Sequence, residues 1–242
     1  MKVIPLAEGL YQVDDAKNYT PFGPGITAAP NTLHMAIRPF LVQLNEELIL
    51  LDTGLGNEIS PDHQIIALLE AQGFTPEQVT KVLLSHLHKD HLGGLGYFDG
   101  TVYRTHFRNA EIFVFEQELA FALTQTDKPA YDKRVLEQLH TLPNLKLLTE
   151  QQGTILPGVT YEVAGGHTAF QLVFWLKADE HTFFFGADNL PQKRYADYHI
   201  AYKTDYDGKK AMNLRKQWLA QASGEHWTIL LYHDLELPWL QF

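Results

Sequence analysis

The chain has no cysteine. That absence removes disulfide frameworks, thiolate zinc sites, iron–sulfur clusters and cysteine nucleophiles together. Any metal must therefore be held by histidine, aspartate or glutamate. Long apolar runs are also missing. Stretches such as residues 48–51 and 229–232 fall far short of the roughly 20 residues a membrane helix needs. The opening residues, Met1-Lys2-Val3-Ile4-Pro5-Leu6-Ala7-Glu8, lack the apolar stretch of a secretory signal. The expected compartment is the cytoplasm, with no membrane partner. Basic residues are scarce: 19 Lys and Arg against 29 Asp and Glu give a formal charge of −10. An acidic surface disfavours a phosphate backbone, so the expected partner is a small-molecule substrate and not nucleic acid.

What is present is ordinary for a folded chain. Across 242 residues, 45% are apolar and 20% charged, a globular composition at odds with disorder. The length allows a sizeable core without staples. No repeat, low-complexity segment or linker divides the chain, and a single domain over residues 1–242 is expected.

Residues 40–44 and 47–51 read as a hairpin around Asn45-Glu46. Residues 14–34, rich in Pro, Gly, Asn and Thr, read as a long unstructured stretch, either a functional loop or a surface meander, and as a candidate homodimer contact. From Pro61 the pattern turns helical, with Ile65, Ile66, Leu68 and Leu69 on one face and Gly73 as a stop. Thr75-Pro76-Glu77-Gln78 reads as a new N-cap with Pro at the first helical position and a capping-box Gln. Strands are expected at residues 82–84, 111–115, 160–163, 171–177, 182–185 and 227–232, and helices after Phe115 and at 130–140 and 208–222. Strands and helices alternate in both halves, which gives an α/β class or a layered mixture.

The strongest signal is Leu83-Leu84-Ser85-His86-Leu87-His88-Lys89-Asp90-His91-Leu92-Gly93-Gly94. An apolar strand runs into four metal-ligating side chains within six residues. Extended chain alternates its faces, so His86 and His88 point the same way and can grip one ion. Asp90 and His91 lie just beyond, where the chain must turn, and can address a second. Gly93 and Gly94 permit that turn and close packing. As plain turn residues, three His and one Asp would have no evident purpose and would be costly if partly buried.

His86-x-His88-x-Asp90-His91 resembles the signature of the metallo-β-lactamase superfamily. Leu50-Leu51-Asp52-Thr53-Gly54 resembles that family's strand-end Asp-Gly element, which supports the metal loop. Asp-Thr-Gly also occurs in aspartic proteases, but those need two copies and this chain has one. Gly165-Gly166-His167-Thr168, Phe185-Gly186-Ala187-Asp188 and Leu230-Leu231-Tyr232-His233 resemble the later elements, in the family's order. The resemblance implies a four-layer αβ/βα sandwich, the metallo-β-lactamase fold. It also implies a ligand set in which His86, His88 and His167 hold one metal, Asp90, His91 and His233 hold another, and Asp188 bridges. Of the 12 histidines, the others (His34, His63, His106, His140, His181, His199, His226) have no such context, although His34, His106 and His199 are candidates to lie near a site.

Two divalent ions, zinc by ligand type but with iron, manganese or nickel also accepted by the same set, would share a water and lower its pKa to near 7. The implied function is a metal-dependent hydrolase that uses a metal-bridging hydroxide to cleave an ester-like bond (lactone, carboxylic ester or phosphoester) in a small molecule. Asp90 is also the catalytic group that would pass a proton to the departing group. Alternatives are a glyoxalase II-like thioesterase, a phosphodiesterase, and a non-catalytic metal-binding or redox-sensing module. Within the superfamily the lactonase and organophosphate-hydrolase-like group fits best, because Lys203-Thr204-Asp205-Tyr206-Asp207 and a following helix with Arg215 resemble it. Typical quorum-sensing lactonases place a tyrosine three residues beyond the bridging aspartate, where this chain has Pro191. Tyr195, Tyr198 and Tyr202 are candidate substitutes. Phe22, Tyr19, Phe107 and Phe170 are candidates for an apolar pocket wall or for ordinary core.

Overall fold

The structure, a computed structural model, describes residues 1–56 and 65–242. The beginning of the helix expected from Pro61, and His63, lie outside the described residues. The chain forms two compact units, Met1–Leu148 and Thr149–Phe242.

The first unit runs β1 (Lys2–Pro5), β2 (Gly9–Val13), β3 (Tyr19–Pro21), β4 (Leu33–Ile37), β5 (Phe40–Leu44), β6 (Glu47–Leu51), α1 (Ile65–Ala71), β7 (Lys81–Leu83), α2 (Lys89–Leu92), β8 (Gly96–Asp99), β9 (Val102–Thr105), β10 (Glu111–Phe115), α3 (Glu116–Leu123), α4 (Lys133–Leu139) and β11 (Leu145–Leu148). Its main sheet has the order β1-β5-β6-β7-β10-β11. The expected hairpin is β5–β6, with Asn45 at φ 54° in its turn, a left-handed conformation that asparagine tolerates. From β6 onward the strands pair in parallel, so the carboxyl ends of β6 and β7 open on one edge. Ligands of open α/β sheets gather at such an edge. Leu50, Val82, Ile112 and Val114 face a core shared with Leu69 of α1 and Leu136 of α4.

Residues 14–34 correct the expectation of an unstructured stretch. Tyr19–Pro21 and Leu33–Ile37 both pair with β2, and the Gln12 side chain accepts a hydrogen bond from Ala29 N at 2.7 Å. The paired runs are short and hemmed by turn residues, which hides their alternation. Thr75–Gln78 caps as expected, the Gln78 side chain accepting from Thr75 N at 2.8 Å, but only a 3₁₀ turn follows.

The second unit runs β12 (Gln152–Leu156), β13 (Val159–Val163), β14 (Leu172–Ala178), β15 (His181–Phe185), α5 (Lys193–Asp197), α6 (Gly208–Glu225), β16 (Thr228–Leu230) and β17 (Trp239–Gln241), with the strands in sequential order in one sheet. β15 and β16 are parallel, joined through α6, so the segments after Phe185 and Leu230 leave the sheet at the same edge. Phe184, Trp218, Trp227 and Ile229 build the core between sheet and helix. Asp207 caps α6 by accepting from Lys210 N at 2.9 Å, the N-cap role expected of aspartate. Among the described residues no helix is long and apolar enough to cross a membrane.

Candidate metal site

In the first unit the donor residues sit between the end of β7 and α2. Asp52, at the end of β6, organises them. It is fully buried, and its Oδ1 accepts from Ser85 N at 2.7 Å. Its Oδ2 accepts from Ser85 Oγ and His91 Nδ1, each at 2.7 Å. The bond to His91 places that ring's proton on Nδ1 and leaves Nε2 as the donor nitrogen, the usual outer contact of a metal-binding imidazole. Because Ser85 Oγ gives its proton to Asp52, it accepts from His86 Nδ1 at 3.0 Å. His86 Nε2 then becomes the second donor nitrogen, and it faces His88 Nδ1 at 3.0 Å. His91 Nε2 lies 3.9 Å from Asp90 Oδ2. Ligand atoms of His86 with His88, of His86 with His91, and of Asp90 with His91 each fall within 4.8 Å.

The glycines make this packing possible. A Cβ on Gly93 would overlap the carbonyl of Leu55, and one on Gly94 the carbonyl of Thr53. Thr53 closes the same turn, its N and Oγ1 both donating to His91 O at 2.7 and 2.9 Å. Glu8, which the motif left out, lies buried beneath this turn and accepts from Leu55 N at 2.9 Å. Burial above all, together with the charge of Asp90 and against the pull of the Leu55 amide, pushes the Glu8 carboxyl up to about 8.

In the second unit, Gly165 and Gly166 take positive φ of 60° and 104° and turn His167 out of the segment after β13. Asn189 anchors the turn, accepting from His167 N at 2.9 Å and donating to Gly165 O at 2.6 Å. His167 Nδ1 meets Asp205 Oδ1 at 2.7 Å, while Asp205 Oδ2 accepts from Tyr202 N at 2.9 Å. Asp188 occupies a 3₁₀ turn after β15 and spreads its two oxygens, Oδ2 lying 3.3 Å from His167 Nε2 and Oδ1 3.1 Å from His233 Nε2. His233 is buried and donates its backbone N–H to Pro191 O at 2.9 Å. Pro191 thus supports the strand-end histidine.

Arg215, buried in α6, donates to the carbonyls of Asn189 and Ile200, each at 2.7 Å, and lies 4.9 Å from the Tyr195 ring centre. Of the candidate tyrosines, Tyr198 is exposed. Tyr195 is half-buried, and burial followed by the charges of Asp205 and Asp188 holds its hydroxyl up at about 12. Phe107 is core, while Phe22 stacks on His34 at 4.1 Å. His106 lies 5.0 Å from the ring of Tyr97, and burial lowers its pKa. None of the ligand-set histidines takes part in those contacts.

The donor chemistry fits cations. His167 gives its Nδ1 proton to Asp205, so its Nε2 is an acceptor facing a carboxylate oxygen of Asp188. Two acceptors at that separation repel unless a proton or a metal ion stands between them. A set made only of imidazole and carboxylate suits zinc and its divalent neighbours.

Residues 37–233 match the family model of the metallo-beta-lactamase superfamily. The chain belongs to this superfamily. An N-acyl homoserine lactonase of Bacillus cereus is 24% identical over 159 residues, covering 57% of this chain and 57% of that relative. The chain therefore spans little more than half the length of that relative. A probable metal-dependent hydrolase from Staphylococcus aureus superposes with a TM-score of 0.82 at 19% identity, over 99% of this chain and 91% of that one. AidC, a dizinc quorum-quenching lactonase, gives 0.77 at 22% identity over 98% and 88%. The hydrolase AbOPH gives 0.77 at 22% over 99% and 89%. These likenesses establish the metallo-β-lactamase fold, as the sequence motifs imply.

Proposed function

We propose that the chain is a dinuclear-metal-dependent hydrolase that cleaves an ester-like bond in a small molecule, and that its two units act together as a single catalytic domain. The observation that carries this reading is Asp188, which sends one oxygen toward His167 and the other toward His233, the arrangement a bridging carboxylate requires. His86, His88 and His167 would hold one ion, Asp90, His91 and His233 the other, and Asp188 would join them. Zinc is the proposed metal. Two such ions, when bound, lower the pKa of water and polarise a substrate oxygen.

The protein's own groups do the rest. Asp52 and Asp205 hold His91 and His167 in the tautomers that present Nε2. Asp90 is placed to carry a proton to the departing oxygen through its carboxylate. Tyr195, whose hydroxyl keeps its proton throughout neutral pH, is the tyrosine we assign to donate a hydrogen bond to a substrate oxygen. Lactones are the first substrates to test, since the Bacillus cereus relative and AidC are lactonases by name.

The test is turnover of a panel of lactones, aryl esters, thioesters and phosphotriesters by zinc-loaded protein. His88→Ala and Asp188→Ala should each lower it by more than about 100-fold, since even changes in outer contacts of a metal ligand cost 10–100-fold. Wild-type rates in either variant would contradict the assignment. Thioester or phosphoester turnover without lactone turnover would redirect the substrate class.

A further inference from the structure

Within the first unit a cleft of about 460 Å³ opens against the metal-ligand loop, a volume typical of small-molecule sites. Leu55, Leu92 and Gly93 of that loop region line it, as does Lys89, which stands in the chain between His88 and Asp90. Tyr19, Tyr97, Phe98 and Tyr103 add an aromatic lining.

The charges in the cleft run against those of the chain. Three cations, Lys17, Lys89 and Arg134, line the cleft with one carboxylate, Asp132, and Asp14 lies near enough to Lys89 for their charges to interact, in a protein whose formal charge is −10. Asp132 is committed to capping α4, its Oδ1 accepting from Arg134 N and Val135 N at 2.9 and 3.2 Å. Arg134 forms no ion pair among the described residues, and its guanidinium rests 4.2 Å from the centre of the Phe98 ring. Lys89 Nζ lies 5.5 Å from the centre of the Tyr19 ring. Ring faces hold cations in place while keeping their surroundings apolar. Tyr103 presents its ring to the same cleft, and its buried hydroxyl has no hydrogen-bond partner among the described residues. Positive groups braced by aromatic rings suit an anion carried on an apolar chain better than a bare, strongly hydrated ion.

We propose that this cleft binds the anionic end of the substrate, a carboxylate on a short apolar chain, and so selects half-esters of dicarboxylic acids over neutral esters. The proposal rests on the hydrolase reading above for the position of the scissile bond, and on the cleft alone for the charge preference.

The test compares two esters of equal acyl length, 4-nitrophenyl hexanoate and mono-4-nitrophenyl adipate, on zinc-loaded protein. The adipate ester should show a KM about tenfold lower, the order expected of charge-assisted hydrogen bonds at a partly exposed site, with kcat changed far less. The preference should shrink as NaCl rises to about 0.5 M and vanish in the double variant Lys17→Gln/Arg134→Gln. Arg134→Lys should restore part of it, since the charge returns without the planar fork. Equal KM values in the unaltered protein, or a preference that survives in the double variant, would overturn the proposal.

If neither ester is hydrolysed, the wider substrate panel decides the hydrolase reading and the cleft is judged separately. Calorimetric titration with the corresponding 4-nitroanilides should then show tighter binding of the adipate compound, lost in the double variant. Equal binding of the two would overturn the cleft assignment.

Discussion

At the scale of single residues, the candidate site is organised by carboxylates that stand outside the proposed ligand set. Asp52 takes three hydrogen bonds in a fully buried position, and one of them sets the tautomer of His91. Asp205 does the same for His167. Replacement by asparagine removes the charge and offers an N–H where an acceptor is needed. Asp205→Asn should therefore weaken zinc binding by about 10–100-fold, read by competition with a chromophoric chelator. Affinity within about twofold of the original would show that the contact does not orient the ligand.

Glu8 gives a pH dependence of stability. The folded chain keeps its proton to about pH 8, while the unfolded chain loses it near 4.5. The folded state thus binds more protons throughout that window, so the contribution of Glu8 to stability is fully present below about 4.5, shrinks as pH rises and is gone above about 8. The amount at stake is on the order of a few kcal/mol. Glu8→Gln keeps an oxygen for Leu55 N but cannot ionise. Its melting temperature relative to the parent should rise between pH 5 and 8. Parallel curves for the two proteins would remove Glu8 from the account.

At the scale of elements, strand ends and the turns after them carry nearly all the donors. Gly94 lies where α2 passes over the turn after β6, and any Cβ there would overlap the Thr53 carbonyl. Gly94→Ala should destabilise by about 1–3 kcal/mol, as overpacking commonly does, with zinc affinity falling alongside. Unfolding by urea with and without zinc separates the two effects. A variant of unchanged stability would mean that the turn can shift without cost.

The cluster of potential donors was legible in the sequence because its chemistry is dense and local, four side chains able to bind metal in six positions after a buried strand. The β5–β6 hairpin was legible for the same reason, a short alternation closed by Asn45. Glu8 was not legible, and Asp205 stood out only within the segment of residues 203–207, not as the partner of His167. Glu8 reaches Leu55 across 47 positions, and Asp205 reaches His167 across 38, and no local pattern marks either partner. β3 was hidden because three paired residues among turn formers leave no period to read.

At the scale of the whole molecule, five sequence elements from Leu50 to His233 fall on strand ends of two units, and the family match spans residues 37–233. Each unit carries part of the donor set: His86, His88, Asp90 and His91 in the first, His167, Asp188 and His233 in the second. The central proposal is that these seven side chains together would hold two ions. Metal stoichiometry after equilibrium dialysis against zinc tests it most directly. Close to two ions per chain should be retained by the unaltered protein, with fewer in both His86→Ala and Asp188→Ala, although these residues belong to different units. Retention of one ion or none by the unaltered protein, or an unchanged count in either variant, would contradict the account.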